Sequence, residues 1–134
     1  MALTENREVS RFVDQELRAL PVKAGAKVYK GALVGLSGGY ARGLVAGDGF
    51  AGIAYEAADN TGGTDGAISV RVFTMGDFEH ALASAARSNN GAAVYASDDA
   101  TLTLTSTGNS LVGRQVDVSG SGRIILRLRP WMGG

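Results

Sequence analysis

VKAGAKVYKGALVGLSGGYARGLVAGDGFAGIAY, residues 22–55, decides how the chain folds. Its apolar runs are short: Val28-Tyr29, Ala32-Leu33-Val34, Leu44-Val45 and Ile53-Ala54-Tyr55. Each is too short for a stable helix. Glycines cut them off at Gly25, Gly31, Gly35, Gly38-Gly39, Gly43, Gly47, Gly49 and Gly52. Short runs of β-branched and aromatic residues between turn-forming residues read as strands. The stretch is therefore a strand meander, and the rest of the chain must complete its sheet.

Downstream, the pattern persists. Ala57 to Gly66 carries the turn chemistry of Asn-Thr-Gly-Gly and Asp-Gly. From Ala67 to Phe73, Ile68, Val70 and Val72 alternate with Ser69 and Arg71, the mark of a half-buried strand. Ala93 to Ala96 is a strand and Ser97 to Ala100 a turn. Thr101 to Thr105 alternates with Leu102 and Leu104 inward. After a turn at Ser106 to Ser110, Leu111 to Val118 returns. Ser119 to Gly122 turns into the last strand, Arg123 to Arg129, with Ile124, Leu126 and Leu128 on one side and Arg123, Ile125, Arg127 and Arg129 on the other.

Two segments break the pattern. In Phe78 to Ser88, alanines and a helical spacing of Phe78, Ala81, Leu82, Ala85 and Ala86 predict one short helix within Ala81 to Asn89. Residues 1–20 are dense in charge, and no glycine occurs before Gly25. Val9, Phe12, Val13, Leu17 and Leu20 suit an amphipathic helix between Thr4 and Pro21. The other reading is an extended arm that ends in an edge strand at Leu17 to Val22.

Composition bounds the function. A chain of 134 residues is one domain, long enough for one core. Its 20 glycines without a repeat period fit tight turns, not collagen. With no cysteine, neither a disulfide frame nor a thiolate metal site can form. A formal net charge of zero argues against direct nucleic-acid binding. No apolar run approaches membrane-spanning length and no signal peptide begins the chain, so no membrane partner is expected and synthesis in the cytoplasm is.

The candidate motifs for chemistry are weak. Gly47-Asp48-Gly49-Phe50-Ala51-Gly52 matches G-x-G-x-x-G, but strand-like residues follow it where a dinucleotide site needs a helix. His80 is the single histidine, and no G-x-S-x-G elbow accompanies it. Asp98-Asp99 and the Asp59, Asn60, Asp65 group lack the ligand spacing of a calcium loop, and the same residues favour turns without metal. No catalytic residue, cofactor or metal is expected.

Several pieces of the chain, in order, resemble the capsid cement (head decoration) proteins of tailed bacteriophages. They are Val28-Tyr29-Lys30-Gly31-Ala32-Leu33-Val34, Gly39-Tyr40-Ala41, Asp59-Asn60-Thr61-Gly62-Gly63, Gly66-Ala67-Ile68-Ser69-Val70-Arg71-Val72-Phe73, Val94-Tyr95-Ala96-Ser97-Asp98-Asp99 and Val112-Gly113. They span roughly residues 20 to 130, a domain-sized stretch. The chain departs from the family's pattern at Arg71-Val72-Phe73, where Gly-Val-Phe is usual.

The resemblance implies an all-β fold, a small β-sandwich or jelly-roll-like barrel with at most one short helix. It favours the arm over residues 1–20, ahead of a single β-domain over 21–134. It implies a structural, non-enzymatic protein on the virion exterior, with the major capsid protein and further copies of itself, as dimer or trimer, for partners. Candidate partner-interface residues are Arg7, Arg11, Phe12 and Val13 in the arm, Arg127 and Arg129 on the last strand, and Trp131, the only tryptophan. The reading from another class is a carbohydrate-binding or other non-catalytic β-sandwich module. That needs exposed aromatics gathered on one face, and the nine Phe, Tyr and Trp residues are scattered along the sequence.

Overall fold

The computed structural model describes residues 17–130. The residues 1–16 and 131–134 lie outside that range, and with them the helix-or-arm alternative for most of residues 1–20. The described chain is all-β, in two five-stranded sheets and a two-stranded ribbon, with no closed barrel. The first sheet has the order β1-β7-β5-β3-β4, formed by Leu17–Pro21, Ser69–Phe73, Gly49–Ala54, Leu33–Ser37 and Tyr40–Gly43. The second has the order β10-β9-β11-β12-β8, formed by Leu102–Thr103, Ala93–Ala96, Ser110–Gly120, Arg123–Leu128 and Asp77–Ala81. The ribbon pairs β2, Lys27–Val28, with β6, Ala58–Asp59. Every pairing between named strands is antiparallel.

The central strands of the first sheet, β3 and β5, are buried on both faces. Leu33, Phe50 and Ile53 belong to a core shared with the second sheet, which contributes Val94, Val112, Ile124, Leu126 and Leu128. Val34, Ala51, Ala54, Val70 and Val72 belong to a second core with Val22 and Val28. This explains why Phe50-Ala51-Gly52-Ile53-Ala54 is a continuous buried run rather than an alternation. Burial of one large apolar side chain stabilises the fold by about 1.5–3 kcal/mol. The sheet also curls until its edges meet, where Val22 forms a parallel bridge to Ala41.

β5 could pack so closely only through glycine. Its register against β3 slips between Val34 and Gly35, leaving Ala51 as an extra residue. Beside it Gly52 takes φ 147°, and a Cβ there would lie 2.1 Å from the carbonyl oxygen of Phe73 on β7.

Most expected strands form, with four corrections. The short helix expected within Ala81–Asn89 is a single 3-10 turn, Arg87–Asn89, and the residues before it, Asp77–Ala81, form a strand paired to β12. Leu104 is 39% exposed rather than inward, because β10 ends at Thr103. Leu44-Val45 is not a strand; Val45 makes a single bridge to Asp98. The last hairpin turns at Ser121–Gly122, so β11 runs two residues further than expected. The edge strand expected at 17–22 is β1.

Candidate interaction surface

Chain topology brings both ends of the described chain to one corner. Leu17 opens β1 opposite Phe73, the last residue of β7. At the other end, the Leu128 amide donates to the Gly76 carbonyl, just ahead of β8 (3.0 Å). The segments that carry Arg7, Arg11, Phe12, Val13 and Trp131 thus attach on either side of the short link from β7 to β8. Those five residues lie outside the described range.

Beside that link is a cleft of about 670 Å³ lined by Lys30, Ile53, Tyr55, Glu56, Phe73 and Phe78, among others. Three aromatics distant in sequence meet there. The Tyr55 ring stands edge-on to Phe73 at 5.3 Å between centroids, and Phe73 tilts against Phe78 at 5.1 Å. The Arg71 guanidinium lies 4.9 Å from the centre of the Tyr55 ring. Glu56 holds Arg71 in turn: its two carboxylate oxygens accept from Arg71 Nε and Nη2 at 3.0 and 2.9 Å, and one also accepts from the Arg71 backbone amide. Those side-chain and backbone hydrogen bonds from Arg71 draw the Glu56 pKa down to about 2. The Glu56 pairing thus holds the Arg71 guanidinium beside the Tyr55 ring.

A second groove, about 390 Å³, adjoins the first through Lys30 and Gly31 and is lined also by Tyr29, His80 and Asp99. Tyr29 is 59% exposed and Tyr55 39%. Each has a cation near one face, since Lys27 Nζ lies 5.4 Å from the Tyr29 ring centre.

The two arginines expected at an interface occupy different settings. Arg127 is exposed but grips Asp77 through Nε and Nη2 at 2.8 and 2.9 Å, and this holds the Asp77 carboxyl below its usual range. Next to it, Arg123 pairs with Glu79 at 3.2 Å. The strand that carries these arginines has no acid of its own; both acids come from β8. Arg129 is exposed and lines a separate recess of about 200 Å³ with Gly47, Asp48 and Ser110. The cleft residues Tyr55, Glu56, Arg71, Phe73 and Phe78 were not legible as a site, since only the fold brings them together.

The weak chemical motifs resolve as structure. Gly47–Gly52 is a turn running into β5, with the Gly47 amide donating to Ser110 Oγ at 3.0 Å. His80 Nδ1 lies 2.9 Å from the Ala81 carbonyl oxygen, which can only accept, so Nδ1 carries the hydrogen. Asp98 accepts from the Ala100 amide and Thr101 Oγ1, and Asp65 from the Ala24 amide. Asn60 Nδ2 donates to the carbonyls of Val22, Lys23 and Thr64. Among the described residues no group of three or more His, Cys, Asp or Glu side chains is placed to hold a metal ion. No helix among them is long and apolar enough to cross a membrane.

The described residues thus form two five-stranded β-sheets and a ribbon, with a cleft in which three aromatic side chains meet. The family model for phage cement proteins matches residues 14–129, and the chain belongs to that family. The family is structural and its members associate with the capsid of the virion. No curated protein and no solved structure matches the chain.

Proposed function

We propose that this protein binds the outer surface of the assembled phage head and clamps neighbouring subunits of the major capsid protein. The observation that carries the reading is the family match over residues 14–129. The physical basis is linkage. A ligand that binds the assembled lattice and not its dissociated subunits stabilises the lattice by its binding free energy. Many modest, symmetry-related contacts then act together, so retention rests on avidity more than on any one interface.

The corner between β7 and β8 is the surface best suited to the contact. It offers a preset Tyr55–Phe73–Phe78 cluster, a paired Arg71, and the attachment points of both terminal segments. Aromatic and arginine side chains fixed before binding lose little entropy on docking. In this reading the protein carries out no catalysis, and copies associate as a dimer or trimer.

The test is co-sedimentation with assembled shells and with free capsid subunits. Retention by shells alone is the expected outcome; equal binding to both, or to neither, overturns the proposal. Tyr55→Ala should weaken shell retention at least tenfold with little change in folding, since a central aromatic anchor is worth 2 kcal/mol or more by truncation, about 30-fold.

A further inference from the structure

β8 is an edge strand with an open flank. Of the six edge strands among the described residues, β1 and β4 belong to a sheet whose edges meet at the Val22–Ala41 bridge, and β2, β6 and β10 have two residues each. β8 runs over five, Asp77–Ala81, and pairs only with β12 among the described residues. The pairing phase says which groups are free. The Leu82 amide donates to the Gly122 carbonyl, and the Leu128 amide to the Gly76 carbonyl. Even-numbered residues therefore bond β12, and the amides and carbonyls of Asp77, Glu79 and Ala81 point away from it. Of these, the Ala81 carbonyl accepts from His80 Nδ1.

Natural edges are commonly guarded by proline, by unpaired charge or by a bulge. β8 has no proline and no register shift, and its two acids are drawn back across the sheet face to Arg127 and Arg123. Phe78 and His80, which alternate with the outward-pointing residues, line the two adjoining grooves. There is backbone for an added strand to bond, and space beside it for that strand's side chains.

We infer that β8 accepts an added strand, and that the strand is residues 9–13 of a second copy of this chain. The inference rests on the cement reading, because a strand exchanged between copies is what joins them. The occupant follows from the part of the chain outside the structure. Residues 9–13 lie four to eight positions before Leu17, a reach of about 13–28 Å from β1 when extended. Of the sixteen residues before Leu17, Val-Ser-Arg-Phe-Val, at 9–13, is the run richest in strand-forming residues. It leaves from the corner at which β8 begins. An exchange of this kind is head-to-tail or mutual, and closes as a trimer or a dimer.

The absence of cysteine makes the test clean. Arg11→Cys is combined in the full chain with Glu79→Cys, and in two companion variants with Asp77→Cys or Ala81→Cys to bracket the register. Each is mildly oxidised in solution and on assembled shells, then run on a denaturing gel without reductant. Covalently linked dimers or trimers from at least one pair are expected. A single-chain band with no titratable thiol would show the segment on its own β8 and overturn the inference; free thiols throughout would overturn it equally. In parallel, Glu79→Pro removes one outward amide without touching the ladder to β12, whereas Glu79→Ala keeps it. Self-association about tenfold weaker for the proline variant alone, by sedimentation, supports strand addition; equal loss in both overturns it. Shell retention is measured on the unsubstituted protein beside these. If it is retained and no pair cross-links, this inference alone fails; if it is not retained, the cement reading fails.

Discussion

Single residues decide two features of this molecule. Gly52 is one, because β5 passes so near β7 that no side chain fits, and because φ 147° is a region L-residues avoid. Gly52→Ala is expected to cost roughly 3 kcal/mol, combining backbone strain with overpacking. The melting temperature should fall by about 10 °C, measured by calorimetry. That glycine was legible as a strand terminator but not as a site of close approach, since the clashing carbonyl belongs to Phe73, which only pairing brings near. Glu56 is the other. Its folded pKa, about 2, lies below the ordinary 4.5, so its ionised form is favoured by folding. Asp117 behaves alike at about 2 against 3.8, held first by the Arg87 side chain. For depressed carboxylates the stabilisation is full above the unfolded pKa and is lost as pH falls through the folded one. Melting temperature should therefore hold steady from neutral pH down to about 5, then decline between about 4.5 and 2. Arg71→Ala should return the Glu56 pKa toward 4.5, which NMR titration of its carboxyl reads directly; an unmoved value would separate the pair.

At the scale of elements, alternation was a sound guide and alanine was not. Ile68, Val70 and Val72 announce β7, and Ile124, Leu126 and Leu128 announce β12, because each strand buries one face. The helical spacing that begins at Phe78 rested on intrinsic preference, which pairing overrides. Asp77–Ala81 gains a full ladder to β12 and two cross-strand ion pairs, and of the expected Ala81–Asn89 helix only a 3-10 turn, Arg87–Asn89, forms. Ser84 then blocks helix outright at φ 60°, the one non-glycine with positive φ among the described residues. An exposed serine in that conformation pays about 1–2 kcal/mol, part of which glycine recovers. Ser84→Gly should raise the melting temperature by about 2–4 °C, and Ser84→Val should lower it. The candidate surface was illegible at this scale for a related reason. Tyr55, Phe73 and Phe78 come from two sheets, and Arg127 meets its acid only when β8 lies beside β12. No periodicity within one element encodes such a pairing.

For the whole molecule, the ordered series of glycine-bearing pieces from Val28 to Gly113 carried the family, and the match over residues 14–129 agrees with it. Interface residues were assigned mostly to the termini, and the fold makes that choice testable. The described residues already enclose two cores, and each is built from strands at or after Leu17 and from the residues between them. Met1 to Asp14 lies outside the described residues that build those cores. Its main apolar residues are Val9, Phe12 and Val13, and ordering a backbone costs about 1–2 kcal/mol per residue. Docking on a neighbouring subunit repays that cost; Arg7 and Arg11 would then orient the contact more than strengthen it. Deletion of residues 2–14 should leave the melting temperature of the dilute protein nearly unchanged, while retention on shells weakens. Dilution matters, because a segment exchanged between copies adds stability that grows with protein concentration. The intact protein should then melt higher as it is concentrated, and the truncated protein should not. A segment packed as an amphipathic helix on its own domain behaves differently. Its deletion would lower melting at every concentration, by several degrees for a loss of about 1–2 kcal/mol. Melting curves of both proteins across a hundredfold range of concentration separate the two arrangements, and a uniform drop would sink the arm.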